Sequence, residues 1–294
     1  MKCLTFFSEK GGVGKTSFGM IYASFLRYKC GVRSAMMDFN NRIDAYRKRE
    51  IKEKKLRGTY GQYEGLDIWP LAVPSSPEEF RDILRNNKIQ ENGYVRWAEK
   101  QIRRGGPLAD TEVLILDFPG AITGGEYFQF LTENWIGMTV IPTDRDSQTL
   151  ESTRRLSFEL TQRKYKHMAF LNQIQLQNDK RLYVWVKNKL MDFGVPVLPD
   201  MVSFSERMKK IEDTSIIRST LEYPDWNDKA FRGSRDLGIH NLFVDISREL
   251  ANTPDIPGTE PVELAFAASL EKERNDERQL NGTSFPQYEM DLRY

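Results

Sequence analysis

The chain has 294 residues, 39% of them hydrophobic, and a formal net charge of +1. That is enough apolar material for a sizeable core, and the near-neutral balance excludes a chain-wide basic footprint, so any nucleic-acid or lipid surface has to be a local patch. Two cysteines without C-x-x-C spacing argue against a disulfide framework or a cysteine-held cluster, and no signal peptide or bilayer-spanning apolar run is visible. The expectation is a cytoplasmic globular protein.

In chain order, "CLTFF" (Cys3–Phe7) reads as a strand that runs into the glycine-rich "SEKGGVGKTSF" (Ser8–Phe18). From Thr16 the spacing turns helical, with Phe18, Ile21, Tyr22, Phe25 and Leu26 on one stripe. "RSAMMDF" is the next strand candidate. Residues 42–57 then break the pattern with eight basic and three acidic side chains and a thin apolar stripe. "GLDIWPL", "EVLILDF", "GMTVIPT", "HMAFLNQ" and "GVPVLPD" follow as further strands, several of them near-continuous apolar runs suited to burial on both faces. Strands alternating with helical stretches predict an α/β fold, a doubly wound and mostly parallel sheet with helices on both faces. From Asn252 a Pro-rich stretch begins. Residues 1–252 read as one domain and 253–294 as a linker and polar tail with nine acidic and four basic side chains.

The glycine-rich stretch carries the chemistry. Gly11, Gly12 and Gly14 let the backbone curl so that successive N–H groups point at phosphate oxygens, and the following helix adds the favourable end of its dipole. The nucleotide-binding run is Lys10, Gly11, Gly12, Val13, Gly14, Lys15, Thr16 and Ser17. Lys15 is placed to reach the β- and γ-phosphates of ATP, and the Thr16 hydroxyl to ligate Mg²⁺.

"KGGVGKT" resembles the deviant P-loop of the ParA/MinD family of partition and positioning ATPases, K-G-G-x-G-K-S/T, which departs from the ordinary loop by placing Glu9 where a glycine is usual. The resemblance implies a nucleotide-sandwich homodimer formed on ATP, with Lys10 reaching across to the partner's phosphates as an arginine finger does. "VLILDFPG" resembles the family's Walker B segment, which sets Asp117 beside Mg²⁺ and Pro119 and Gly120 in a switch loop. "MAFLNQ" nominates Asn172 as an adenine contact, and "GVPVLPDMVSFSERMKK" nominates Pro199 and Met201 over the base. After the second strand the family shows D-x-D, whereas this chain reads "MMDFNNR". Asp38 matches the first carboxylate, at the metal, and Asn40 stands at the second. An amide cannot accept a proton as a carboxylate does, though it can orient water, so the expectation is slow hydrolysis or ATP binding that acts as a latch.

Partition ATPases of this kind bind DNA non-specifically as ATP dimers and take a partner protein that stimulates hydrolysis. In "SFSERMKK" a capping box from Ser203 to Glu206 leaves Arg207, Lys209 and Lys210 exposed as DNA-contact candidates. The denser patch from Arg47 to Arg57 is interleaved with acids and reads first as a solvated helix face. "IIRSTL" with the altered carboxylate pair resembles ParA-like proteins of conjugative elements, which makes plasmid or element segregation or transfer the particular expectation. The alternatives are a nucleotide-gated protein-recruitment module and a MinD-like membrane-associated ATPase. The mixed, acidic tail disfavours the membrane. Cys3 and Cys30 are not placed to hold an interfacial cluster, and His167 and His240 read as isolated structural histidines.

Overall fold

The computed structural model describes residues 1–40, 45–47, 49–50, 69–74, 78–79, 81–83, 93–119, 130–172, 180–199, 239–270, 272 and 275. Among these, six strands form one sheet: β1 (Lys2–Phe6), β2 (Ser34–Asp38), β3 (Leu71–Ala72), β4 (Val113–Asp117), β5 (Met138–Thr143) and β6 (His167–Leu171). The order across the sheet is β3-β2-β4-β1-β5-β6, and every pairing is parallel. The apolar runs are short and buried along their length, as strands covered on both faces must be.

Side-chain alternation divides the core between the two faces. On β1, Leu4 and Phe6 point to one side, where α1 (Lys15–Ser24) and α5 (Ile239–Ala251) pack through Phe18, Tyr22, Phe243 and Leu250. Cys3 and Phe7 point to the other, toward α2 (Gly93–Ile102), α3 (Ser147–Gln162) and α4 (Lys180–Asp192) through Trp97, Leu156 and Val186. The stripe predicted for the first helix is the one buried. Its last turn, Phe25–Lys29, widens into a π-helical turn that closes with Cys30 N–H donating to the Phe25 carbonyl.

Two sequence expectations change. "GVPVLPD" is not a strand of the sheet: Val197 makes a single parallel bridge to Ala169, fixed by Ala169 N–H to the Pro196 carbonyl at 2.7 Å and Leu198 N–H to the Ala169 carbonyl at 2.8 Å. Pro196 and Pro199 bring no N–H, so the ladder cannot extend past that bridge. Of "GLDIWPL", Trp69 is buried and only Leu71 enters a strand, while residues 65–68 lie outside the described set.

Beyond Asn252 the chain stays on the body of the protein. Lys2 Nζ donates to the Thr253 carbonyl and pairs with Asp255 at 3.3 Å, and Ile256, Leu264 and Leu270 are buried. Residues 276–294 lie outside the described set.

The topology fixes where a ligand fits. β4 and β5 flank β1 on opposite sides, α1 leaves β1 on one face of the sheet, and α3 leaves β5 on the other. The loops after β1 and β5 therefore open a crevice at the carboxyl ends of the strands, the usual ligand position in such sheets.

Candidate functional site

The loop from Ser8 to Gly14 sits in that crevice. Gly14 takes φ 92° and opens α1, with its carbonyl accepting from Phe18 N–H at 2.8 Å. A Cβ there would lie 3.2 Å from the Phe18 ring and 3.4 Å from Asn172 Nδ2, so both conformation and space require glycine. Val13 is buried, and its carbonyl accepts from Asn172 Nδ2 at 2.9 Å. Asn172, expected at the base, follows the end of β6, with its own N–H on the Thr143 carbonyl at 2.7 Å. It thus ties the end of β6 to the glycine loop.

Lys15 begins α1 with its side chain turned back across the loop, Nζ donating to the Lys10 carbonyl at 2.7 Å. Burial pushes its ammonium pKa down, and the nearby Asp117 carboxylate partly restores it. The arrangement holds an ammonium against the loop backbone, where a phosphate would enter. Thr16 and Ser17 are half-buried on the first turn of α1.

The second half of the site is made by neighbouring strand ends. Asp38 and Asp117 are register partners on β2 and β4, so their side chains leave the sheet side by side. Thr16 Oγ1 donates to Asp117 Oδ2 at 2.8 Å, and Asn40 Nδ2 donates to the same oxygen at 3.0 Å. Asp38 is fully buried, and its oxygens accept the N–H groups of Asn40 at 2.8 Å and Ala45 at 3.1 Å. Burial raises its pKa, with those N–H groups opposing the shift. Asp117 therefore faces the hydroxyl expected at a metal, while Asp38 anchors the start of the loop that follows β2.

The donor set fits Mg²⁺. It offers a hydroxyl and a carboxylate, both hard oxygen ligands, and among the described residues no group of three or more His, Cys, Asp or Glu gathers to form an all-protein cage. Mg²⁺ keeps several waters and takes its remaining ligands from phosphate, so one carboxylate and one hydroxyl suffice.

Two contacts were not foreseen in the sequence. Lys10 Nζ pairs with Asp146 Oδ1 at 2.8 Å. Asp146 is the N-cap of α3, and the same oxygen accepts from Gln148 N at 2.9 Å and Thr149 N at 3.2 Å. Its pKa is lowered, first by the hydrogen bond from Lys10 and then by the Thr149 N–H. Glu9, at the position that departs from the usual glycine, pairs with Arg155 one helical stretch further along α3. An N-cap aspartate before an amphipathic helix is legible in "TDRDSQTL"; its pairing with a lysine 136 residues earlier is not. Pro119 is half-buried after β4 and Pro199 is exposed. Gly120, Met201, Arg207, Lys209, Lys210 and residues 51–57 of the earlier basic patch lie outside the described set.

The other histidine and cysteine candidates are structural. His167 Nδ1 donates to the Tyr165 carbonyl at 2.9 Å while Nε2 accepts from Ser157 at 2.8 Å, and Cys3 is fully buried in β1 with its thiol pKa pushed up by that burial.

A comparison with protein-family models matches none, and a comparison with curated proteins finds no relative. Solved structures do match. Cyanothece McdA in complex with ATP superposes with a TM-score of 0.55 at 16% identity, over 81% of this chain and 96% of that one. A putative plasmid partition protein of Borrelia burgdorferi B31 bound to AMPPNP gives 0.56 at 15%, over 83% and 98%. The pNOB8 ParA gives 0.55 at 15%, over 85% and 97%. At such identities the likeness is one of fold: this chain has the fold of the ParA/MinD-type P-loop ATPases. Among the described residues no helix is long and apolar enough to cross a membrane.

Proposed function

We propose that this chain is an ATP-binding dimerisation switch of the ParA type, which hydrolyses ATP slowly and serves to position, segregate or transfer DNA. The observation that carries the reading is the 2.8 Å contact between Thr16 and Asp117 beneath a glycine loop whose lysine, Lys15, is already turned inward. Thr16 and Asp117 would hold Mg²⁺, which supplies charge neutralisation at the β- and γ-phosphates when bound. Lys15 and the loop N–H groups bind the same phosphates, and the α1 N-terminus orients them. Lys10 acts from one protomer on the nucleotide of the other. In the single chain it rests on Asp146, an exposed contact that is easily exchanged. Asn40 positions rather than accepts a proton, which supports slow turnover.

The test is DNA retention and protein mass measured with and without Mg·ATP at two salt concentrations. The expected result is a dimer with ATP, DNA held only by that dimer, and steep loss of DNA as salt rises. A dimer on ATP that retains no DNA in any state would remove the DNA reading.

That outcome would favour the second reading, a nucleotide-gated module that recruits a protein. The feature supporting it is the outward face of α3 and α4, where Phe158 and Trp185 are 61% and 52% exposed and Phe193 lies under the Arg154 guanidinium. Exposed aromatics grouped with cations are more typical of a contact surface than of a solvated helix face.

A further inference from the structure

Asn40 occupies a position whose shape a carboxylate would fill equally well, and the structure uses what a carboxylate lacks. Asp117 accepts only, so the Asn40 atom 3.0 Å from Asp117 Oδ2 is the amide nitrogen, donating. The Thr16 hydroxyl donates to that oxygen as well, at 2.8 Å, so Oδ2 accepts from both side chains. Asn40 is aimed there by a rigid mount. Its backbone N–H is fixed on the fully buried Asp38 carboxylate at 2.8 Å, and Phe39 beside it is packed against Phe118, the residue after Asp117.

The two donors differ in what they do when a cation arrives. Thr16 Oγ1 keeps lone pairs and can turn to become a ligand. The Asn40 N–H cannot coordinate a cation and competes with it for the Asp117 oxygen. We infer that Asn40 is a positioning residue that stands in for a cation at Asp117, so that Thr16 and Asp117 would hold Mg²⁺ only with the amide turned away from the carboxylate. This rests on the nucleotide-switch reading above and sharpens it: half-maximal charging of the switch needs more Mg²⁺ than it would with either a carboxylate or a small side chain at position 40. An aspartate there would set a second carboxylate about 3 Å from Asp117, a repulsion relieved only by a cation or a proton.

The experiment compares wild type, Asn40→Ala and Asn40→Asp. AMPPNP binding is measured by calorimetry in EDTA and over a Mg²⁺ titration, and Mn²⁺ alone is titrated with the free ion read by electron paramagnetic resonance. One hydrogen bond to a charged acceptor corresponds to roughly tenfold in an equilibrium. The Asn40→Ala variant should therefore reach half-maximal metal response at roughly tenfold less Mg²⁺ and bind Mn²⁺ alone more tightly, and Asn40→Asp should shift further in the same direction. AMPPNP affinity in EDTA is the reference from which each variant's Mg²⁺ response is read, and urea midpoints identify any variant whose fold is impaired. A residue that only braces the loop would leave the metal midpoint of Asn40→Ala where it was, or move it to higher Mg²⁺, and either result overturns the inference. If wild type binds no AMPPNP under any condition, the nucleotide reading falls by itself. The Mn²⁺ titration still decides Asn40: tighter Mn²⁺ in Asn40→Ala upholds the stand-in, and unchanged or weaker Mn²⁺ rejects it.

Discussion

The two flanks of the glycine loop are built on opposite principles. On one flank, Thr16, Asp117, Asn40 and Asp38 meet at the ends of adjacent parallel strands, with Asp38 and Asp117 at 0% and 2% exposure. On the other, Lys10 and Glu9 hold Asp146 and Arg155 on α3 through ion pairs whose side chains are 31% to 60% exposed. Strand register and a low local dielectric fix the first flank, where a broken contact leaves a buried polar group without a partner. Water and salt screen the second, where an exposed pair contributes about 0–1 kcal/mol and can be exchanged for another at little cost. The proposed switch needs both: a rigid seat for phosphate and metal, and a lysine that can exchange its partner.

The comparison can be broken most severely from the buried side. Phe39 lies between Asp38 and Asn40, fully buried and in ring contact with Phe118 at 5.1 Å and Phe130 at 5.3 Å. Phe39→Ala should lower unfolding free energy by about 3–5 kcal/mol in a urea titration. It should also lower the Mg²⁺ concentration at which ATP binding responds, because the mount that holds the Asn40 amide on Asp117 goes with it. An urea midpoint within error of wild type would mean the buried flank is not the rigid one.

Next in size is Lys15→Ala. Removing an inward, desolvated cation should weaken ATP binding by roughly a hundredfold, the loss of a charged hydrogen bond of about 3 kcal/mol, while calorimetry finds the fold intact. An ATP affinity close to wild type would place the phosphates elsewhere.

On the exposed flank the expected effects are smaller and concern association. Asp146→Asn keeps the N-cap oxygen for Gln148 and Thr149 but removes the charge that holds Lys10. Stability should fall only slightly, by what the exposed charge contributes. The ATP dimer, followed by sedimentation, should form at severalfold lower protein concentration. Lys10→Ala should bind ATP and fail to make a productive dimer; an unchanged dimer with unchanged turnover would refute its role in trans.

The smallest effect distinguishes the flanks by acid titration. Burial raises the Asp38 pKa, whereas Lys10 and the α3 N–H groups lower that of Asp146. In carboxyl NMR, Asp38 should protonate at higher pH than Asp146. The linkage signs are opposite. The raised Asp38 pKa contributes stability at low pH that is lost as pH rises through it. The depressed Asp146 pKa contributes stability above the ordinary carboxylate range that is lost as pH falls through the folded value. The Lys10 latch should therefore persist from pH 8 down to below about 4, the ordinary aspartate value.

The glycine loop, the start of α1, the strands carrying Asp38 and Asp117 and the one ending just before Asn172 were legible because each depends on residues a few positions apart. Gly14 followed by Lys15 and Thr16, and runs such as "VLILD", specify backbone shape and burial locally. The segment "GVPVLPD" misled because its apolar content suits a strand while its two prolines remove the ladder N–H groups. Asn40 was recognisable as a missing carboxylate, but its role as a donor to Asp117 was not, since that contact spans 77 residues.

The sequence by itself determined the glycine-rich loop, the parallel α/β architecture and the chemical oddity of Lys10 and Asn40, because side-chain type and short-range periodicity act before the chain folds. Only the tertiary structure decided which partners those residues take. Strand order set β2 beside β4 and so aimed Asn40 at Asp117. The crevice beside β5 brought the N-cap of α3 within 2.8 Å of Lys10. Such contacts depend on where distant segments end up in space, and that is fixed by packing of the whole sheet rather than by any local run of residues.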